Sequence, residues 1–186
     1  TPRNRDNPLA SRHAVSRISQ NIRVSGGLQR MARWADLEVA APEISGGGRK
    51  IIYQHGPGLA YLATVRADDG LRIHPFCPVI TGGGIYGLIN NSPKRRDLTA
   101  NGRYAIHSFP LEDRDDEFML AGIAKRVTDP AEVIAVKKAY DEAGATSGED
   151  EWTFEFSIER ALLSVYNPRD SGLPLWPPRY LSWRRR

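Results

Sequence analysis

The chain has 186 residues, of which 40% are hydrophobic and 26% are charged, the size and balance of one soluble globular domain with a substantial core. It has a single cysteine, Cys77, and no apolar run near the ~20 residues that cross a bilayer. The composition therefore excludes an internal disulfide framework and a membrane-spanning helix, and it predicts a cytoplasmic protein.

The net charge of +4 is concentrated at the two ends of the chain. Residues 1–30 contain six arginines and one aspartate, and residues 179–186 contain four arginines and no acid, so the body between them is acidic. Basic termini can attract nucleic acid or an acidic membrane surface. The interpretation favoured here is a solvated extension, because residues 1–30 are poor in large apolar side chains.

A change of composition at Met31 marks the predicted domain boundary. Residues 1–30 are predicted to be a basic, disordered extension, and residues 31–186 one folded domain. The extension lacks the apolar centre of a secretory signal. Our hypothesis is that the natural start lies at or near Met31.

The first predicted elements are two helices, over residues 31–41 and 43–55. The second helix contains Gly46, Gly47 and Gly48, which lower its intrinsic helix propensity.

Three short strands are predicted next, over residues 59–67, 71–80 and 85–90. Asp69-Gly70 is a hairpin signal between the first two, and the TGGG sequence of residues 81–84 separates the second from the third. Strands joined by such short turns pair antiparallel.

The rest of the chain alternates strands with two helices. A short helix is predicted from Ser92 through Ala100, and a longer one follows Asp129 over residues 130–144. The remaining predicted strands cover residues 103–109, 118–128, 152–166 and 179–183. Six or more antiparallel strands with a few helices predict a mainly β (α+β) fold, a small barrel with accessory helices.

Two candidate sites conflict with the predicted secondary structure. Residues 82–87, GGGIYG, match the dinucleotide pattern G-x-G-x-x-G, but a β-branched strand follows where a helix is required. His74 and Cys77 are three residues apart on a predicted strand, so their side chains should point to opposite faces. We therefore predict a glycine hairpin, and no metal site.

The stretch NNSPKRRDL, residues 90–98, is the best candidate for an anion site. Ser92 suits a helix N-cap and Pro93 the first helical turn, from which Lys94 and Arg95 would project toward an anion. A helix N-terminus with cations and a hydroxyl favours phosphate binding. A solvated cluster of surface cations remains the alternative.

The segment from about Gly58 to Arg126 resembles the pyridoxamine 5′-phosphate oxidase-like family, the FMN-binding split barrels. The resemblance lies in the order and spacing of several elements. They are Ala63-Thr64-Val65 in a strand, a turn at Gly70, a second strand with a cofactor-facing stretch over residues 74–79, a third strand, Ser92-Pro93-Lys94 and Asn101-Gly102-Arg103. It implies a six-stranded antiparallel split β-barrel with accessory helices. It also implies a homodimer that holds FMN between its subunits.

The resemblance also implies roles for individual residues. Lys94 matches the lysine that neutralises the FMN phosphate, Ser92 would add a hydroxyl donor, and Arg95 would compensate for an arginine that Pro93 replaces. The other implied flavin contacts are His74, Pro75, Phe76, Cys77, Pro78, Val79, Gly87, Leu88 and Glu117.

Several departures separate the chain from the true oxidases. His74 replaces an arginine, Val79 a substrate-binding lysine and Glu117 a glutamine, and both an R-x-x-x-S and a C-terminal R-x-H motif are missing. We therefore predict an FMN-dependent oxidoreductase of another substrate. The alternatives are a deazaflavin-dependent reductase, a non-catalytic flavin or haem carrier, and a nucleic-acid binder that uses the arginine-rich termini.

Overall fold

A computed structural model describes residues 30–185 as one curled antiparallel sheet with four helices. It confirms the predicted α+β class and the antiparallel split barrel. Except for Arg30, the basic extension predicted for residues 1–30 lies outside the described residues. None of the helices within residues 30–185 is long and apolar enough to span a membrane.

The sheet contains eight strands, each formed where apolar residues alternate or run together. They are β1 Ala60–Val65, β2 Leu71–Phe76, β3 Pro78–Thr81, β4 Gly84–Ile89, β5 Arg103–Ser108, β6 Glu117–Arg126, β7 Trp152–Val165 and β8 Arg179–Arg184.

The four helices lie close to their predicted positions. They are α1 Trp34–Ala40, α2 Pro42–Ile52, α3 Pro93–Ala100 and α4 Pro130–Glu142. The start of α1 differs from the prediction, because Ala32 forms an antiparallel bridge to Ile158 before the helix begins.

The predicted strand over residues 71–80 is divided at Cys77. Its first half, β2, pairs with β1, and its second half, β3, pairs with β4. The strand order β2-β1-β5-β6-β7-β4-β3 places β2 and β3 at opposite ends of the path, with β8 added to β7. Because these two end strands follow each other directly in the chain, the sheet must curl to bring its ends together. This division gives eight strands where the sequence predicted seven.

The main core fills the inside of the curled sheet. Trp34 of α1 meets Phe118 of β6 edge-on, with ring centroids 6.0 Å apart. Helix α2 packs on β6 and β7 despite its three glycines. At Gly48 an added Cβ would lie 2.4 Å from the ring of Phe118, so the missing side chain allows the helix to approach the sheet.

A second, smaller core lies between α4 and the opposite face of β3 and β4. Val136 and Tyr140 of the helix pack with Val79, Tyr86 and Leu88 of the strands. Asp129 begins α4 as predicted, because its carboxylate accepts a hydrogen bond from the Ala131 backbone N–H at 3.3 Å.

Candidate phosphate and cofactor site

Helix α3, which contains the predicted anion-binding residues, is fixed to the barrel by Asp97. This buried carboxylate accepts hydrogen bonds from the Thr64 hydroxyl at 2.8 Å and from Arg72 Nε at 2.9 Å. Thr64 belongs to β1 and Arg72 to β2. Two strands of the barrel therefore hold α3 at Asp97, which directly follows the first helical turn.

Ser92 occupies the N-cap position of α3, in an extended conformation with φ −145° and ψ 165°. Its hydroxyl does not cap the helix. It donates instead to the carbonyl oxygen of Asn90 at 3.2 Å. Pro93 fills the first helical position, where its missing N–H costs no helical hydrogen bond.

Lys94 is half-buried beside the junction of β2 and β3. Burial lowers the pKa of its ammonium group below the ordinary value, and the smaller influences of Cys77 and Glu151 oppose that shift. Tyr140 lies in the core beneath α4, against which Cys77 packs, and burial first, and then Cys77, raises the pKa of Tyr140. Lys94 is thus a cation partly withdrawn from water, and the groups around it only partly offset the cost of that burial.

Arg95 does not share the environment of Lys94. It donates to the carbonyl oxygen of Asp150 at 2.8 Å, and its guanidinium carbon lies 4.5 Å from the ring centroid of Trp152. Arg126 lies over the same ring at 3.5 Å. Neighbouring helical positions differ by about 100° around the axis, so the two cations that we predicted to face one anion lie in different surroundings.

The 74–79 stretch crosses from one strand pair to the other, so its side chains have different environments. Phe76, Pro78 and Val79 are buried, whereas Pro75 is exposed and Cys77 partly exposed. His74 is also partly exposed, but its Nε2 atom is buried without a hydrogen-bond partner among residues 30–185.

Gly87 and Leu88 lie in the interior of β4. An added Cβ at Gly87 would lie 3.1 Å from the rings of Phe76 and Phe156, so this glycine is tightly enclosed. Leu88 packs beneath α4, as Val79 does. The side chains of Val79 and Leu88 are therefore covered by the chain's own helix.

Glu117 is remote from the other predicted residues within one chain. It begins β6, and Arg126, which contacts Trp152 beside Arg95, ends the same strand. Ten residues of strand span about 30 Å. A single chain therefore does not bring Glu117 to α3.

Sequence reasoning missed four residues around α3: Arg126, Tyr140, Glu151 and Trp152. Each is distant in sequence from residues 90–98 and reaches α3 only through strand pairing or helix packing. The one available signal was the aromatic residue Trp152 directly after the acids Glu149, Asp150 and Glu151.

Comparisons with known proteins find the same fold at low sequence identity. No protein-family model matches the chain, and no curated protein matches its sequence. A heme-binding protein from Mycobacterium smegmatis superposes with a TM-score of 0.54 at 16% identity, over 74% of this chain and 57% of its own. The chain has the split-barrel fold of the pyridoxamine 5′-phosphate oxidase-like proteins.

Two further solved structures share this split barrel. One, from Clostridium acetobutylicum, is related to general stress protein 26 of B. subtilis, in the pyridoxine phosphate oxidase family; its TM-score is 0.51 at 11% identity, over 73% of this chain and 90% of its own. A conserved hypothetical protein of Mycobacterium tuberculosis superposes with a TM-score of 0.52 at 18% identity, over 62% of this chain and 81% of its own. The split barrel thus corresponds to little more than half of the M. smegmatis protein and to most of the other two.

Proposed function

We propose that the chain binds FMN through its phosphate at Lys94 and that it is an oxidoreductase. The observation that carries this proposal is the half-buried ammonium group of Lys94, whose pKa burial lowers. A phosphate dianion beside it would favour the charged form and offset the cost of removing that charge from water. The residues present therefore fit a phosphorylated cofactor.

The surroundings of Lys94 support the same choice of ligand. Lys94 lies in the first turn of α3, where the partial positive charge of a helix N-terminus favours anions. Asp97, directly after that turn, holds α3 against β1 and β2, so the helix is positioned before the ligand arrives.

The flavin, when bound, would supply the hydride or electron transfer, and the protein would supply position and electrostatics. Lys94 and Ser92 would hold the phosphate end. Because α4 covers Val79 and Leu88, the parts of the 74–79 stretch open to a ring are Pro75 and, in part, His74 and Cys77.

The proposal includes a homodimer. Tyr61 of β1 stacks on Phe109 with ring centroids 4.1 Å apart, and beside it β2 exposes Leu71 and Ile73, whose exposed fractions are 73% and 64%. Exposed apolar surface of this kind commonly marks an interaction site. Since Glu117 and Lys94 are far apart in one chain, a cofactor that contacts both must lie between two copies of it.

The test is the cofactor preference of Lys94→Gln. Charge-assisted hydrogen bonds contribute about 1.5–3 kcal/mol, so wild type should bind FMN roughly 10–100-fold more tightly than riboflavin, which lacks the phosphate. The variant should lose most of that preference. Lys138→Gln is the matched control, because Lys138 is an exposed lysine on α4.

Unchanged FMN preference in Lys94→Gln would overturn the proposal. Mass spectrometry of the cofactor that co-purifies with the protein would identify it. If the bound cofactor is a deazaflavin, the proposal of FMN is wrong, but the proposed phosphate site at Lys94 is unaffected.

A haem carrier is the second candidate function, and one atom favours it. The imidazole Nε2 of His74 is buried and has no hydrogen-bond partner in the part of the chain that the structure describes, and imidazole nitrogen is a ligand of haem iron. The M. smegmatis protein of similar fold is a heme-binding protein. Titration with haem should then produce a Soret shift in wild type that His74→Ala lacks, and identical spectra would exclude His74 as the ligand.

A further inference from the structure

A cavity of about 380 Å³ lies beside α3, and Lys94 is not among the residues that line it. It is lined by Asn91, Arg95, Arg96, Thr99, Ala100 and Trp152. Arg95 and Thr99 are four residues apart and so share one face of the helix. Its volume falls within the range of about 300–1,000 Å³ of pockets for small molecules.

The arginines around this cavity are not neutralised by direct ion pairs. Arg95 and Arg126 both lie over the ring of Trp152, at 4.5 and 3.5 Å. Within residues 30–185, neither these two nor Arg96 forms a salt bridge with a carboxylate. The Trp152 ring therefore contacts two cations, of which Arg95 lines the cavity, and both would attract an anion bound there.

Acidic residues lie on one side of the cavity only. Glu149, Asp150 and Glu151 line an adjoining space of about 280 Å³, which also contacts Arg95 and Trp152. Arg96 does not line that space, and its side chain is exposed. Arg96 is thus the cation most available to a ligand that enters the larger cavity.

We propose that this cavity is a second ligand site, which binds a small molecule carrying both a phosphate and a ring, such as a nucleoside monophosphate. Guanidinium groups bind phosphate with two parallel hydrogen bonds. Ala100 and the Trp152 ring provide an apolar wall for the remainder of the molecule. The site is independent of the proposed flavin site, because Lys94 does not line it.

The experiment is calorimetric titration of the full chain, saturated with FMN, using AMP as the probe. AMP should bind, and adenosine, which lacks the phosphate, should bind at least about tenfold more weakly. Inorganic phosphate should also bind more weakly, since it does not contact the apolar wall. Arg96→Gln should weaken AMP binding at least about tenfold and Arg96→Glu further, whereas Arg66→Gln, an exposed arginine at the β1–β2 turn, should not.

A second set of variants separates the two sites. Lys94→Gln should lower FMN affinity and leave AMP affinity unchanged. Arg96→Gln should lower AMP affinity and leave FMN affinity unchanged. Trp152→Phe should reduce AMP affinity, because the smaller ring makes weaker cation–π contacts with Arg95 and Arg126. The proposal is overturned if AMP does not bind, if adenosine binds as well as AMP, or if AMP binding responds to Lys94 and not to Arg96.

Discussion

Arg72 Nε lies 2.9 Å from Asp97 Oδ2, which joins the edge strand β2 to the helix that contains Lys94. The Thr64 hydroxyl donates to the same oxygen at 2.8 Å. The pair is only partly accessible, with side-chain exposures of 29% for Arg72 and 10% for Asp97. Its contribution should therefore exceed that of an exposed ion pair, and it should affect both stability and cofactor binding.

We expect Asp97→Ala to lower the free energy of unfolding by about 2 kcal/mol, because Thr64 and Arg72 lose their shared acceptor. FMN affinity should fall as well, since α3 is no longer held against β1 and β2. Urea unfolding and FMN titration measure the two effects. Asp68→Ala is the control: its exposed pair with Arg66 should contribute less than about 1 kcal/mol. Equal losses in the two variants would show that Asp97 has no special anchoring role.

The strands were largely predictable, whereas the division at Cys77 was not. In β5, the buried Tyr104 and Ile106 alternate with more exposed residues as the sequence pattern predicts, whereas in β1 and β6 apolar residues occupy both faces and only the length of the apolar segment indicates the strand. Residues 71–80 are mostly apolar and contain no glycine, so they read as one strand, and the sequence does not show that its two halves pair with different partners. That choice depends on the five strands β1, β5, β6, β7 and β4, which occupy the sheet positions between them.

The candidate site was predictable only where its residues are local. Ser92, Pro93 and Lys94 could be located from the start of α3. Trp152 and Arg126 could not, because the pairing of β6 with β7 brings them to Arg95. The sequence also did not show that α4 packs over Val79 and Leu88, because this tertiary contact has no short sequence signal.

Two glycines of α2 should respond oppositely to replacement by alanine. Gly46 has no atoms within 4 Å of an added Cβ, so Gly46→Ala should raise stability by about 1 kcal/mol through helix propensity. At Gly48 the new Cβ would lie 2.4 Å from the buried ring of Phe118, so Gly48→Ala should lower stability by about 1–3 kcal/mol. Chemical denaturation of both variants measures the difference. A gain in stability at Gly48 would contradict the close packing of α2 on β6.

The affinity for FMN should depend on pH through Lys94. Burial lowers the pKa of this lysine below its ordinary value of 10.5. Between the lowered pKa and 10.5, the unfolded chain binds more protons than the folded protein. In the absence of ligand, the free energy of unfolding should therefore rise with pH in this range. Phosphate binding has the opposite dependence: the ligand needs charged Lys94, and the FMN phosphate is already a dianion above about pH 7. FMN binding should therefore weaken as pH rises through the pKa of Lys94.

Riboflavin provides the comparison for this pH dependence. Fluorescence titrations across the alkaline range should show FMN affinity falling while riboflavin affinity stays level. Lys94→Gln should remove the FMN dependence. An identical pH profile for both flavins, or for wild type and variant, would show that Lys94 does not bind the phosphate.

The proposed dimer predicts different effects for two exposed isoleucines. Ile73 on β2 and Ile134 on α4 have similar exposed fractions, 64% and 68%, but only Ile73 lies beside the apolar surface around Tyr61 and Leu71. Ile73→Glu should convert the dimer to a monomer, because it would bury a carboxylate in an apolar interface. Ile134→Glu should leave the dimer intact. Light scattering coupled to size-exclusion chromatography measures the mass of each.

Loss of the dimer should also release the cofactor, since a single chain separates Glu117 from Lys94 by much of the length of β6. We therefore expect Ile73→Glu to purify as a folded monomer with little bound flavin, its circular dichroism matching wild type. A monomer that keeps full flavin occupancy would place the cofactor within one chain and remove Glu117 from the site. A dimer disrupted by Ile134→Glu instead would move the interface to α4.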